Sequence, residues 1–91
     1  MNRRDLVTAA SAASGLARPM AEKAVEAIFQ GIADALKRGE TVRLLGFGSF
    51  SVRDRAPLTA RDPRSGAPIH IAAAKLPKFV PGTALRNAVN Q

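Results

Sequence analysis

The chain is organised around residues 53–75, with the sequence RDRAPLTARDPRSGAPIHIAAAK, which form a pair of strand-like segments with very little to bury. At the centre, residues 62–66 (DPRSG) are a turn sequence in which the proline suits the first central position and the glycine can adopt a positive φ. The only large aliphatic residues of the stretch are Leu58, Ile69 and Ile71. A two-stranded ribbon alone is at best marginally stable in water. We therefore expect a hairpin that projects from a body and becomes ordered on a ligand.

The charge of the chain indicates the kind of ligand. The sequence has 14 Lys and Arg residues against 7 Asp and Glu, which gives a formal net charge of +7. Residues 53–91 hold seven of the basic residues and two of the acidic ones, so the excess lies where the candidate core is thinnest. Such an excess favours a polyanionic partner. Nucleic acid and an anionic membrane both fit that description.

The composition argues against several other classes of protein. Without cysteine and with one histidine, the chain has no disulfide, thiolate site or histidine cluster, and we expect neither a metal nor a cofactor. It lacks a Gly-x-Gly-x-x-Gly or phosphate-loop pattern and paired carboxylates in a plausible pocket, which argues against an enzyme. Its apolar runs are far shorter than the roughly 18 residues of a membrane span, and its first residues lack a signal-peptide core. We expect a soluble, cytoplasmic protein.

Two helices are predicted at the start of the chain. Asn2 and, three residues later, Asp5 form a capping arrangement, and the apolar spacing predicts a first helix over residues 3–14. Pro19 suits the first turn of a second helix, whose broad apolar stripe ends at Gly39. The other face of this helix is charged, and its simplest interpretation is a solvated face.

Strands follow the helices. Residues 41–45 are β-prone, and after a tight glycine turn residues 49–53 alternate polar with apolar side chains. This strand continues into the hairpin and returns towards residue 79, with Pro77 indicating an edge or a bulge. Thr83 can cap a last short helix. The predicted order is α-α-β-β-β-α, which is an α+β fold.

The aromatic residues indicate that one subunit cannot cover its own apolar surface. All four lie on the apolar side of an amphipathic element, and they are Phe29, Phe47, Phe50 and Phe79. Stacking on exposed bases is one role for aromatic residues in a basic protein, but the burial preference of phenylalanine favours core packing. A helix stripe and a three-stranded sheet leave more apolar surface than a subunit of this size can cover. We therefore expect an intertwined dimer.

The turn and strand sequences resemble the signature of a known family. The matching positions are GFGSF at residues 46–50, RDP at residues 61–63, and Val52, Arg55, Ser65, Gly66, Ile69, Ile71, Ala73, Pro77, Phe79, Gly82 and Leu85. With the helical pattern before them, these positions make essentially the whole chain similar to the bacterial HU and integration host factor DNA-binding proteins.

The resemblance implies an intertwined homodimer with a helical base and one protruding two-stranded β-ribbon arm per subunit. Residues 53–75 would form the arm, residues 1–52 and 76–91 the dimer body, and the four phenylalanines the dimer core. In this family the arms embrace the DNA minor groove, and a proline at each tip wedges between base pairs. Pro63 stands at that position. The wedge mechanism is a property of the family, and the resemblance alone extends it to this chain.

The resemblance also implies a set of DNA-contacting residues. They are Arg61 and Arg64 beside the tip, Arg53 and Arg55 at the base of the arm, and Lys75, Lys78 and Arg86 in the saddle below it. Guanidinium groups suit narrow grooves, because they are planar and weakly hydrated. The implied function is that of a histone-like, nucleoid-associated protein that binds double-stranded DNA with little sequence specificity, including bent or nicked DNA. It would bend the DNA and compact the bacterial chromosome.

Three arm positions depart from the commonest family residues: Leu58 stands where the family usually has an arginine, Ala60 where it has a glycine, and Asp62 where asparagine is more common than aspartate. The lost arginine and the added carboxylate predict a weaker or more salt-sensitive arm. Three alternatives stay open: a sequence-specific integration host factor subunit in a heterodimer with a homologue, an RNA-binding role, and a structural or membrane-surface protein. The last is disfavoured, because the basic residues lie on a β-arm and not on a basic amphipathic helix.

Overall fold

The structure, a computed structural model, describes residues 1–91. It begins with helix α1, Arg3–Ser14, and helix α2, Arg18–Lys37. The predicted cap of α1 is confirmed: the Asp5 amide donates to the Asn2 side chain at 3.1 Å, and the Asn2 amide donates to the Asp5 carboxylate at 2.9 Å. Gly15 ends α1 with φ of 77°, a left-handed conformation that glycine adopts at little cost.

Helix α2 begins without a side-chain cap. Its N-cap residue is Ala17, which offers no hydrogen-bond acceptor in its side chain, and proline occupies the first turn. A contact with α1 holds this end instead, because the Arg18 guanidinium donates to the Thr8 hydroxyl at 2.8 Å. The two helices pack around a small core that consists of Val7, Ala21 and Val25.

Five strands and a third helix complete the chain: β1 is Val42–Leu44, β2 Gly48–Arg55, β3 Leu58–Arg61, β4 Pro68–Ile71 and β5 Ala74–Pro81, and α3 is Thr83–Val89. Strands β1, β2 and β5 form an antiparallel sheet in the order β1-β2-β5, and β3 and β4 form a separate antiparallel pair. The predicted α+β order of elements is thus confirmed, and β5, the strand that carries Pro77, is an edge strand as expected.

Two local expectations differ from the structure. The long strand that leads into the hairpin is interrupted at residues 56–57, and its return is interrupted at residues 72–73, so that the hairpin is a two-stranded sheet of its own. Proline at position 57 accounts for the first break, because it has no amide hydrogen to donate to a ladder. Thr83 as a helix cap is wrong: the N-cap of α3 is Gly82, and Thr83 is already helical.

The chain on its own buries very little. Four of 91 residues are buried, although 46% of the sequence is hydrophobic. The molecule is elongated, with extents of 59 × 32 × 28 Å. No helix is both long and apolar enough to cross a membrane.

Candidate nucleic-acid interface

The tip of the hairpin is a closed turn built around Asp62. The Gly66 amide donates to the Asp62 carbonyl at 2.7 Å, and the Asp62 amide donates to the Ala67 carbonyl at 2.8 Å. The Asp62 carboxylate accepts the Arg64 amide at 2.8 Å, which is the side-chain bond that makes aspartate suit turns. Gly66 has φ of 72°. These bonds fix the turn while Pro63 stays exposed at its outer end.

The two strands of the hairpin have distinct faces. In the β3–β4 register Leu58 pairs with Ile71 and Ala60 with Ile69, so these four residues share one face. The other face has the pairs Thr59–His70 and Arg61–Pro68. The apolar face is thin, since Leu58 is 51% and Ile69 43% exposed. The hairpin therefore has no core of its own, and its cohesion comes from its ladder and its turn.

Arg61 and Arg64 both lie at the tip and are exposed. Arg61 ends β3, and its guanidinium is 3.5 Å from the Gly66 carbonyl, a long and weak hydrogen bond. Arg64 is inside the turn, where only its backbone amide is bonded to Asp62. The structure thus brings Arg61, Pro63 and Arg64 together at one end of the molecule.

The three-stranded sheet carries cations on one face. Directly opposed residues of an antiparallel pair share a face, and side chains alternate along each strand. By this rule four cations and no acidic residue lie on the same face, which we call the cationic face: Arg43, Arg53, Arg55 and Lys78. The reverse side carries the aromatic rings of β2 and β5, together with one opposed charge pair, Asp54 and Lys75. The net charge of the strands is therefore concentrated on one face.

Lys75 lies on the reverse side. Its position in the register is opposite Asp54, whereas the neighbouring Arg53 is opposite Leu76. Lys75 is exposed, but a carboxylate on the same face offsets its charge. The structure thus separates Lys75 from Arg53, Arg55 and Lys78, although the family resemblance groups all four as DNA contacts.

Arg55 is held more tightly than the other cations of the sheet. It is the last residue of β2, just before the interruption at residues 56–57, and it is half-buried. Its guanidinium donates to the Ala72 carbonyl at 2.9 Å, across the base of the hairpin. Its Nε atom is buried without a hydrogen-bond partner. Arg55 thus connects the two interrupted strands where the hairpin leaves the sheet.

Arg86 lies on α3, at the end of the sheet that is farther from the hairpin. This helix follows β5, and the Gly82 amide at its start donates to the Phe47 carbonyl at 2.8 Å. Arg86 is exposed. It lies outside the hairpin and has no place in the register that defines the cationic face.

Three of the four phenylalanines form a cluster. The Phe79 ring centroid is 4.7 Å from that of Phe50 and 5.6 Å from that of Phe47. Phe29 is apart on α2, where the Arg3 guanidinium lies 5.2 Å from its ring centroid. Even so, Phe29, Phe47 and Phe79 are 38%, 47% and 37% exposed. Within a single chain, these rings are only partly covered.

One residue of the cationic face, Arg43, is not among the contacts that the sequence predicts. For Arg43 the sequence predicts only a place in a β-prone segment, but this residue pairs with Ser49 and so joins Arg53 and Lys78 on one side of the sheet. The signal lies in the alternation of residues 42–44 (VRL), where a cation separates two apolar residues. The alternation does not show how β1 pairs with β2. That pairing register determines which residues of β2 lie on the same face as Arg43.

Comparisons with known proteins agree in sequence and in structure. The sequence profile of the family described as "Bacterial DNA-binding protein" matches residues 1–90. The chain is 46% identical to DNA-binding protein HU of Geobacillus stearothermophilus over 89 residues, which cover 98% of this chain and 99% of the relative. It is 44% identical to DNA-binding protein HU-beta of Pseudomonas aeruginosa over 90 residues, or 99% and 100% of the two chains.

Two solved structures are similar over nearly the whole chain. A chain of an Anabaena HU–DNA cocrystal structure matches with a TM-score of 0.88 at 31% identity, and 98% of this chain and 97% of that one are covered. HU from Thermotoga maritima matches with a TM-score of 0.68 at 27% identity and 98% coverage of both chains. With a profile match over residues 1–90 and these relatives, the chain belongs to the bacterial DNA-binding protein family that contains HU.

Proposed function

We propose that the chain is a histone-like architectural protein that binds double-stranded DNA with little sequence specificity and bends it. The observation that carries the proposal is the sheet itself, which has four cations and no acidic residue on one face and continues into a hairpin with arginines beside an exposed proline. Phosphate neutralisation by Lys and Arg supplies affinity without reading sequence. The HU–DNA cocrystal structure, to which the chain is similar, supports DNA as the ligand.

The proposed division of labour assigns residues 53–75 to a DNA-embracing arm and residues 1–52 and 76–91 to a dimer body. The separate β3–β4 sheet and the two strand interruptions support an arm that moves as a unit. Pro63 would act as the wedge in the minor groove, where inserting an apolar side chain costs a few kcal/mol of unstacking and kinks the duplex by roughly 20–90°. Bending would then bring the flanking DNA onto the cationic face.

The proposed DNA contacts fall into three groups. Arg61 and Arg64 would act at the tip, and Arg53, Arg55 and Lys78 would act on the cationic face. Lys75 and Arg86 would contact only DNA that passes around the side of the sheet or over the body, because neither belongs to the cationic face. We expect these two residues to contribute less than the others.

A homodimer is part of the proposal. Large apolar side chains that are exposed in the single chain include Ile28 and Phe29 on α2, with 61% and 38% exposure, and Phe47 and Phe79 at the sheet. Monomeric proteins rarely expose large contiguous apolar patches, and a second copy would cover these side chains. The four phenylalanines would then form the dimer core. We expect this dimer to be nucleoid-associated and to have neither catalytic activity nor a cofactor.

A competition titration tests the proposed function. A labelled duplex is displaced by unrelated duplexes, by nicked and pre-bent DNA, by double-stranded RNA and by anionic vesicles. We expect unrelated duplexes to compete within a few-fold of one another, and distorted DNA to compete as well or better. A preference of several kcal/mol for one sequence would favour an integration host factor subunit, and competition by vesicles alone would favour a membrane-surface protein.

A further inference from the structure

The turn at the tip holds a carboxylate beside the proposed wedge. Asp62 immediately precedes Pro63, and both its backbone amide and its backbone carbonyl are hydrogen-bonded within the turn. One oxygen of its carboxylate, Oδ1, accepts the Arg64 amide at 2.8 Å. The side chain is therefore held in place, half-buried, while Pro63 is exposed. Consecutive Cα atoms are about 3.8 Å apart, close to the roughly 3.4 Å between stacked base pairs. Asp62 would thus face a base pair next to the kink.

The second carboxylate oxygen of Asp62 has no partner within the chain. The side chain makes one hydrogen bond, through Oδ1, and the ion pair of the chain joins Arg38 to Glu40. Neither arginine of the tip therefore neutralises this carboxylate. An ionised carboxylate only accepts hydrogen bonds, whereas the amide of an asparagine both accepts and donates. The tip thus presents a free acceptor, Oδ2, and no donor on the same side chain.

The two kinds of base pair differ in what they offer to an acceptor in the minor groove. A·T pairs show only acceptors there, and G·C pairs add the amino group of guanine as a donor. A-tracts also have a narrow minor groove with enhanced negative potential. A carboxylate beside A·T pairs faces acceptors of its own kind, and beside G·C it finds a donor. Hydrogen bonding and electrostatics therefore both favour G·C next to Asp62.

We propose that Asp62 is a specificity-determining residue that favours a G·C pair beside the Pro63 wedge, where the guanine amino group donates to its free carboxylate oxygen. This inference rests on the proposed function. One net hydrogen bond changes an equilibrium by roughly two- to tenfold. A preference of this size influences where the protein bends a duplex, but it does not confine the protein to one sequence.

The test uses a duplex with a single nick, which lowers the cost of unstacking and so favours one position for the kink. The two base pairs that flank the nick are G·C in one duplex and inosine·C in the other. Inosine has the major-groove edge of guanine but lacks its amino group in the minor groove. We expect the wild type to bind the G·C duplex about two- to tenfold more tightly. Inosine·C pairs are easier to unstack than G·C pairs, so unstacking opposes this difference and cannot produce it.

A third duplex reverses the substitution. Its flanking pairs are diaminopurine·T, which have the amino group in the minor groove that A·T pairs lack. We expect the wild type to bind it more tightly than the same duplex with A·T pairs, by a similar factor.

Asp62→Asn tests the residue. Its side-chain oxygen can still accept the Arg64 amide and keep the turn, but the position of the free acceptor is then taken by an NH₂ donor. This variant should bind the G·C duplex no more tightly than the inosine·C duplex. Asp54→Asn is the matched control, because it removes the same charge from the reverse side of the sheet, opposite Lys75, and should keep the preference of the wild type.

Two results would count against the inference and leave the proposed function standing: equal binding of the G·C and inosine·C duplexes by the wild type, or the same preference in Asp62→Asn as in the wild type. If the wild type binds none of these duplexes at low salt, the proposed function itself fails, and the inference fails with it.

Discussion

The most specific prediction concerns the two faces of the sheet at the base of the arm. Arg53 and Lys75 are both exposed and lie one register position apart, but Arg53 belongs to the cationic face and Lys75 lies opposite Asp54 on the reverse side. Substituting each residue with glutamine removes one positive charge from nearly the same place. If DNA lies on the cationic face, Arg53→Gln should weaken binding much more than Lys75→Gln.

The size of this difference follows from the number of phosphates released. Each lost phosphate contact lowers the slope of log K against log[salt] by about 0.9. A homodimer carries Arg53 twice, so Arg53→Gln should reduce the slope by about 1.8, and between about 50 and 200 mM salt its affinity should then fall about twelvefold less than that of the wild type. Lys75→Gln should change the slope by less than half as much, because Asp54 already offsets the charge of this lysine on its face.

The assay is a fluorescence anisotropy titration of one duplex at several salt concentrations, with both variants and the wild type. Both side chains are exposed, so we expect both variants to melt within a few degrees of the wild type, and thermal unfolding checks this. Equal changes of slope, or a larger change for Lys75→Gln, would refute the assignment of DNA to the cationic face.

Three further predictions concern the tip, the arm and the sheet. Pro63→Ala should reduce DNA bending more than it reduces affinity, and energy transfer between the duplex ends measures the bend. The control is Pro68→Ala, which lies away from the outer end of the turn and should leave the bend unchanged. An unchanged bend in Pro63→Ala would count against the wedge. Leu58→Arg should raise affinity at low salt and steepen the salt slope by up to about 1.8 for a homodimer. By counterion release, the missing arginine thus accounts for weaker binding of this arm but not for greater salt sensitivity. Leu58→Ala measures the loss of the pairing with Ile71 separately, and no gain from the arginine would contradict the expected weakness of this arm. Gly48→Ala should destabilise the fold by about 1–3 kcal/mol or more, because the new methyl group would lie 2.6 Å from the Phe79 ring and from the Val80 carbonyl oxygen. Thermal unfolding measures the loss of stability, and an unchanged midpoint would contradict the close packing around Gly48.

Local rules predict the parts of the fold that depend on neighbouring residues. The cap formed by Asn2 and Asp5, the turn stabilised by Asp62 and the positive φ of Gly66 follow from side chains only a few residues apart. The same rules place the cap of α3 at Thr83, because threonine is a preferred capping residue. The structure starts the helix one residue earlier, where Gly82 is tied to Phe47. A contact between distant segments decides that boundary, and the local sequence does not contain it.

The candidate site is harder to predict, because it depends on register. Which face a strand residue occupies depends on its partner, and a shift by one position would exchange Arg53 with Asp54. The alternation of residues along β2 is visible in the sequence, but the pairing of Ser49 with Arg43 is not. The contact between Arg55 and Ala72 is equally hidden, since 17 residues separate them. The preference for a polyanionic partner, in contrast, follows from charge alone.

We expect the protein to be a dimer that grips DNA, and light scattering coupled to size-exclusion chromatography tests both properties at once. The measurement is the mass of the purified protein alone and after mixing with a duplex at low salt. We expect about 19 kDa alone, twice the 9.6 kDa of one chain, and a complex whose mass equals this dimer plus one duplex. A mass of one chain alone, or two separate peaks for protein and DNA, would contradict a dimer that grips DNA.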